Sequence, residues 1–317
     1  MNNESVYVVP TSLVVDQRVL CMARNDKTIV AGFSAPGHVC TSDDDGITWS
    51  DRLYASYMDY ATLCVVALKS GTFLAGSKGP TCKLWRSLTT EGMEWTPVRE
   101  LTEPNVHWVH DPVAIVQQDD GTVLCLTKTN GWVYRSTDDG CTWFRSYAFG
   151  RMMNHMVHLG GSILLASAMD EDWFYRSADG GASWTRVGPD EREVRHATLF
   201  RIPETSVVLA AVGPKMWHSW DLGLTWEPDC VISDAKLVGG RAMFVYTNDI
   251  LFMATTVSNK VVHSFDMGIT WHPTLELEDG STVRSLGDTK EKTRLLVGTG
   301  PRATIARVFI DRIRKPD

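Results

Sequence analysis

Nine side chains at or just before the starts of apolar runs carry groups that could bind or polarise a ligand. They are Asp59, Tyr60, His110, Asp111, His155, Arg195, His196, Lys236 and Arg284. Imidazoles and carboxylates brought to one place suit acid–base work, and guanidiniums suit the grip of an anion. Their linear spacing completes no catalytic constellation. His107-Trp108-Val109-His110-Asp111 offers two imidazoles and a carboxylate, but positions three apart on an extended strand face opposite ways, which disfavours a shared metal. The stretch from Gly71 to Gly76-Ser77-Lys78 superficially matches a phosphate loop, yet Lys does not directly follow the second Gly and no helix comes after. Gly-x-Ser-x-Gly and Cys/His protease signatures are absent. No metal, cofactor or catalytic residue is therefore expected.

What must position these groups is a repeated turn. Ser136-Thr137-Asp138-Asp139-Gly140-Cys141-Thr142-Trp143 reads Ser-x-Asp-x-Gly-x-Thr-Trp. It recurs as Ser42 to Trp49, Ser177 to Trp184 (with Ser183 for Thr), Ser219 to Trp226 and Ser264 to Trp271. A worn copy, Ser87 to Trp95, is one residue longer and lacks the Asp. Each copy lies between two strand-like runs, so a hairpin turn is expected. Its carboxylate (Asp44, Asp138, Asp179, Asp221, Asp266) can fold back onto turn N–H groups. The glycine (Gly46, Gly140, Gly181, Gly223, Gly268) permits positive φ. The closing indole (Trp49, Trp143, Trp184, Trp226, Trp271) is a large apolar anchor for a neighbouring sheet. Asp43-Asp44-Asp45-Gly46 is acidic, but a calcium loop of the EF-hand type needs a Glu at its twelfth position, and none stands there. A turn repeated in nearly every unit is architecture.

The octapeptide resembles the Asp-box, or BNR repeat, of sialidases and related propellers. The tryptophans that end it, with Trp95, are 41 to 48 residues apart, a period that signals a β-propeller. In the resembling families the boxes face away from the catalytic pocket. Sialidases combine the boxes with a Phe/Tyr-Arg-Ile-Pro motif, and Phe200-Arg201-Ile202-Pro203 is similar to it. Here it stands in the fifth unit, whereas the family places it before the first box. No matching second and third arginines and no Tyr/Glu pair can be assigned. The chain also resembles non-catalytic seven-bladed members and bacteriophage-tail propellers.

Each unit has one grammar: an apolar run, a Gly or Asn/Asp turn, a second run, a third strand leading into the box, and an outer strand. Six units carry boxes. A seventh, about 282–312, has none and lacks a fourth strand, which the N-terminal run, about 5–15, could supply by pairing with it. That pairing closes the ring and removes an exposed edge. The expectation is one all-β domain, 1–317, a seven-bladed propeller of four-stranded sheets. Six blades with the tail as an appendage is the alternative. In such a ring the strand entries converge on one mouth of the central channel. Asp16, Arg18, Asn154 and Asp234 join the nine residues above in a binding funnel.

The 317 residues are 44% apolar with 12 Trp, ample for a core, and a net charge of −7 argues against a nucleic-acid or anionic-membrane surface. No apolar run approaches the ~20 residues that cross a bilayer. The N-terminus has no secretory signal pattern. Seven cysteines, an odd number without CxxC spacing, suit thiols kept reduced in a cytoplasm. The reading is a non-catalytic interaction or assembly propeller whose partners are other proteins, most concretely a phage virion (tail) or host-attachment component. The alternatives are a sialidase-like glycoside hydrolase acting through carboxylates such as Asp59, Asp111 and Asp234, and a lectin for surface glycans stacking sugar on Trp108, Trp132 or Trp173.

Overall fold

A computed structural model of the chain describes residues 6–9, 17–34, 37–53, 60–79, 82–101, 110–188, 194–212, 215–231, 242–301, 303–310 and 313. They form seven four-stranded antiparallel sheets, and no helix occurs among them. The sheets stand radially around a channel, as a seven-bladed β-propeller. The innermost strands, in blade order, are Val19–Arg24, Ala61–Ala67, Pro112–Gln117, Met153–Gly160, Thr198–Arg201, Ala242–Thr247 and Thr282–Asp288. Each touches the next around the ring, and the seventh touches the first.

The ring closes as the incomplete seventh unit requires. Blade 7 consists of Thr282–Asp288, Arg294–Gly300 and Ile305–Phe309, with Val6–Val9 added outside them. The register runs antiparallel from Val6 opposite Val308 to Val9 opposite Ile305. Leu13, Val14 and Val15, assigned to the same N-terminal run, lie outside the described residues.

The repeated turn is built from its own eight residues. In each of the five full copies the Ser hydroxyl accepts from the Gly N–H at 2.8–2.9 Å. The same hydroxyl donates to the Asp carboxylate at 2.7–2.9 Å. That carboxylate accepts the backbone N–H of the Thr (or Ser183) at 2.8–2.9 Å and its hydroxyl at 2.5–2.6 Å. Asp179 titrates at about 2, held low first by the Ser183 hydroxyl and then by the Ser183 N–H. Charge-assisted bonds of this kind are among the stronger ones a turn can make. The worn copy has lost the carboxylate but keeps the other end: Trp95 Nε1 donates to Gly92 O at 2.9 Å, as Trp143 Nε1 does to Gly140 O at 2.8 Å.

Every turn packs on the blade before it. Trp226 of blade 5 lies 4.7 Å, ring to ring, from Phe174 of blade 4. Trp184 of blade 4 meets Phe149 of blade 3 at 5.1 Å. Trp49, Trp95, Trp143 and Trp271 enter the apolar clusters shared with blades 7, 1, 2 and 5. The core is therefore a series of sheet-on-sheet layers, six of them sealed at one edge by an indole, while the layer between blades 6 and 7 is filled by aliphatic and Phe side chains. Because strands alternate in direction, these turns share a face with the hairpins that follow the innermost strands. The blade-to-blade connections and the loops after the second strands occupy the opposite face.

Candidate functional site

The innermost strands surround a cavity of about 590 Å³ on the channel axis. Its charged and polar lining comes from strand entries and second-strand ends: Lys78, Asp111, Lys128, Asn154, His155 and Arg284. The cavity therefore opens on the face away from the repeated turns. Below that rim the wall is apolar, with Met22, Val65, Met156, Phe200 and Phe244 among the lining residues. Phe200 and Phe244, from blades 5 and 6, stack with centroids 5.3 Å apart.

A local irregularity explains which side chains reach the cavity. Five innermost strands break register near their entries: between Val19 and Cys21, Thr62 and Cys64, Pro112 and Ala114, Met153 and His155, and Val283 and Ser285. Such a break sets one extra residue into the strand and re-aims its side chain. The residues so inserted are Leu20, Leu63, Val113, Asn154 and Arg284, and all five line the cavity. Asn154 is held in place, since its amide donates to the carbonyls of His196 and Ala197 at 2.9 and 2.7 Å.

The residues singled out from sequence separate into groups. Asp111, His155 and Arg284 line the cavity together. Asp111 is tied to Lys78 at 3.4 Å and accepts from the Cys82 thiol at 3.5 Å. His110 is fully buried instead, stacked on Trp132 at 3.7 Å with Nδ1 bonded to Thr129 O at 3.0 Å. Tyr60 is 60% exposed and is not a lining residue. Arg195, also off the cavity, forms a two-pronged pair with Asp172, both contacts at 3.2 Å. His196 is exposed in a turn with φ 63°. Asp59 and Lys236 lie outside the described residues, as do Asp16, Asp234 and Trp108.

Arg284 has a neighbour of the same sign. Burial first, and the Arg18 charge second, lower its pKa below the ordinary guanidinium value. Both stems lie over the bare backbone of Gly300: a Cβ there would stand 2.6 Å from Arg18 Cγ and 3.3 Å from Arg284 Cγ. The Arg284 Nε is buried with no hydrogen-bond partner among the described residues.

The remaining motifs resolve into packing. Arg201 ends the innermost strand of blade 5 and donates through Nε to Thr205 O of its own turn, at 3.1 Å. A Tyr/Glu pair does exist: Tyr175 donates to Glu171, which is also paired with Arg151. Tyr175 is 7% exposed within the layer between blades 3 and 4, and neither partner lines the cavity. No sequence signal linked these two, because they lie in a loop and a third strand. Trp132 and Trp173 carry Arg145 and Arg186 over their rings at 4.9 and 4.2 Å, so cations occupy faces a sugar would need. Phe73–Lys78 is a plain strand, not a phosphate loop. No group of His, Cys, Asp and Glu among the described residues has a metal-holding geometry. No helix among them is long and apolar enough to cross a membrane.

Among solved structures the chain is similar to a streptogramin B lyase, with a TM-score of 0.76 at 10% identity, 96% of each chain being covered. It is similar to YCF48 bound to a D1 peptide, with a TM-score of 0.72 at 17% identity over 98% of each chain. It also resembles the Niastella koreensis GH74 enzyme, at 0.66 and 13% identity, over 95% of this chain and 44% of that one. At such identities the likeness establishes the fold. No family model and no curated protein sequence matches the chain.

Proposed function

We propose that the protein is a non-catalytic interaction propeller that grips a segment of a partner protein in its central channel. The observation that carries this reading is the cavity itself. Register breaks aim side chains into an axial pocket whose wall is apolar and whose rim is polar, the usual form of a binding site. Among the described lining residues Asp111 is the one carboxylate, and Lys78 and Cys82 engage it. Glycoside hydrolysis needs two carboxyl groups set about 5–9.5 Å apart across the sugar. The likeness of fold to YCF48, seen bound to a peptide, supports the same use of a propeller here. A rigid disc of this kind suits a larger assembly, a virion tail being the setting we propose.

The test is a selection of displayed heptapeptides on the wild-type protein and on Phe244→Asp, with a glycoside panel run in parallel. Peptides enriched on the wild type and lost on the variant, with no turnover, are expected. Turnover of a glycoside that Asp111→Asn abolishes, with no peptide enriched, would overturn the reading.

A further inference from the structure

The five residues aimed inward by register breaks occupy one structural position in five blades, and four of them are Leu20, Leu63, Val113 and Asn154. Three are aliphatic and the fourth is spent on holding the next blade. At the same position blade 7 places Arg284. The ring could be built with an aliphatic residue there, so architecture does not explain the charge.

The company this guanidinium keeps makes it costlier still. Arg18 approaches over Gly300, and like charges side by side disfavour each other unless an anion offsets them. Among the described residues neither arginine has a carboxylate partner, and the buried Arg284 Nε is unbonded. Lys128, on the rim at blade 3, has no carboxylate partner among them either. Asp111, the one carboxylate among the described lining residues, is committed to Lys78. This cationic end stands out in a chain whose net charge is −7. Of the other part-buried arginines, Arg24 forms a two-pronged pair with Asp288 and Arg86 pairs with Asp139, while Arg99 and Arg307, which do not line the cavity, keep an unbonded buried Nε as Arg284 does.

We propose that Arg18 and Arg284 form an anion site at the rim, whose ligand is an apolar segment of a partner protein carrying a carboxylate. The forked donors of arginine match a carboxylate in two-pronged fashion. The apolar part of the segment lies against Leu20, Leu63, Phe200 and Phe244, which a hydrated inorganic anion would leave uncovered. The volume, about 590 Å³, admits a few residues rather than a folded domain. This inference rests on the channel being the gripping site.

Two pentapeptides capped at both ends test it, Leu-Phe-Leu-Asp-Leu and its Asn counterpart, titrated calorimetrically into wild type, Arg18→Gln, Arg284→Gln and Arg284→Lys. Decanoate and decanol form a second pair, and thermal melts confirm that each variant is folded. The expected result is binding of the Asp peptide about tenfold tighter than the Asn peptide, a preference that vanishes in both Gln variants. Arg284→Lys, which keeps the charge without the fork, retains part of it. Equal binding of the two peptides to the wild type would overturn the anion site while leaving the channel grip standing. Binding of decanoate over decanol with no binding of either peptide would overturn the partner segment as ligand. Binding of none of the four probes would overturn both the site and the reading beneath it.

Discussion

Arg176 Nε donates to the backbone carbonyl of Leu222 at 2.9 Å, joining blade 4 to blade 5. Arg176 immediately precedes the first Ser of one repeated turn, and Leu222 immediately precedes the Gly of the next. The same two positions meet across three more boundaries. Arg86 Nε reaches Asp139 O at 2.8 Å, Arg135 Nη1 reaches Gly180 O at 2.9 Å, and His218 Nε2 bonds Met267 O at 3.0 Å. The turns of blades 2 to 6 are thus linked in series by polar clamps as well as by indoles. Replacing Arg176 with Ala strands the Leu222 carbonyl and removes a charged donor. We expect a loss of about 1–3 kcal/mol, read as a lowered Tm with an unchanged circular dichroism spectrum. An unchanged Tm would mean that the clamp contributes nothing.

That linkage marks where the sequence stops being legible. The turn itself could be read because its donors and acceptors lie within eight residues. The clamp could not, because Arg176 and Leu222 meet only once the ring exists. Closure was legible for a different reason: a unit with three strands and an unassigned apolar run at the other terminus solve each other's edge. The lining of the candidate cavity was legible only in part. Asp111, His155 and Arg284 reach the cavity, but His110 turns into the blade against Trp132. Alternation along a strand says which residues share a face only while the register holds. The breaks beside Val113, Asn154 and Arg284 reverse that parity, and no residue type announces them.

Two left-handed residues in a row shape each of the five full turns, and the first is often not glycine: Leu222 has φ 57° and Met267 φ 61°. A side chain in that region costs about 1–2 kcal/mol, more than the ~0.5–1 kcal/mol a glycine loses in the unfolded chain. Met267 is 38% exposed, so little packing is forfeited. Met267→Gly is therefore expected to raise stability by roughly 0.5–1 kcal/mol, measured by denaturant midpoint. A lowered midpoint would show that the Met267 side chain packs to more effect than its exposure indicates.

The second position behaves oppositely. Gly140 has φ +81°, and a Cβ there would stand 2.8 Å from the Leu74 side chain of blade 2. Gly140→Ala combines backbone strain with overpacking against the preceding blade, a loss of roughly 2–4 kcal/mol. Gly121, with φ +89° but open space around its Cα, isolates the first effect. Its Ala variant should lose only about half as much. Equal losses in the two would remove Leu74 from the account.

Stability should fall on acidification in two separate windows. His263 titrates at about 4, lowered first by burial and then by the nearby His272. A histidine with a depressed folded pKa takes its proton more readily when unfolded, so stability declines as pH drops from about 6.5 towards 4. The turn carboxylates act lower down. Asp179, at about 2 in the folded chain, contributes stability that is complete above about 4 and lost as pH falls from there towards 2. Melting curves between pH 7.5 and 4.5 should show the first decline in the wild type and a shallower one in His263→Gln. The same slope in both would move the decline to other groups.

The last prediction concerns the strand that closes the ring. Val6–Val9 pairs with Ile305–Phe309 and covers what is otherwise the free edge of blade 7. Its removal leaves the N–H and C=O groups along that edge unpaired, a template for another chain. Deleting residues 1–9 should leave the six complete blades able to form, because each takes its four strands from one stretch of sequence. The truncated chain is expected to self-associate in a concentration-dependent way, seen by light scattering after size exclusion. A peptide of residues 1–12 added in excess should return it to the monomer, since it restores the missing register from Val6 opposite Val308 to Val9 opposite Ile305. A truncated chain that stays monomeric and as stable as the whole one would show that blade 7 closes without its borrowed strand.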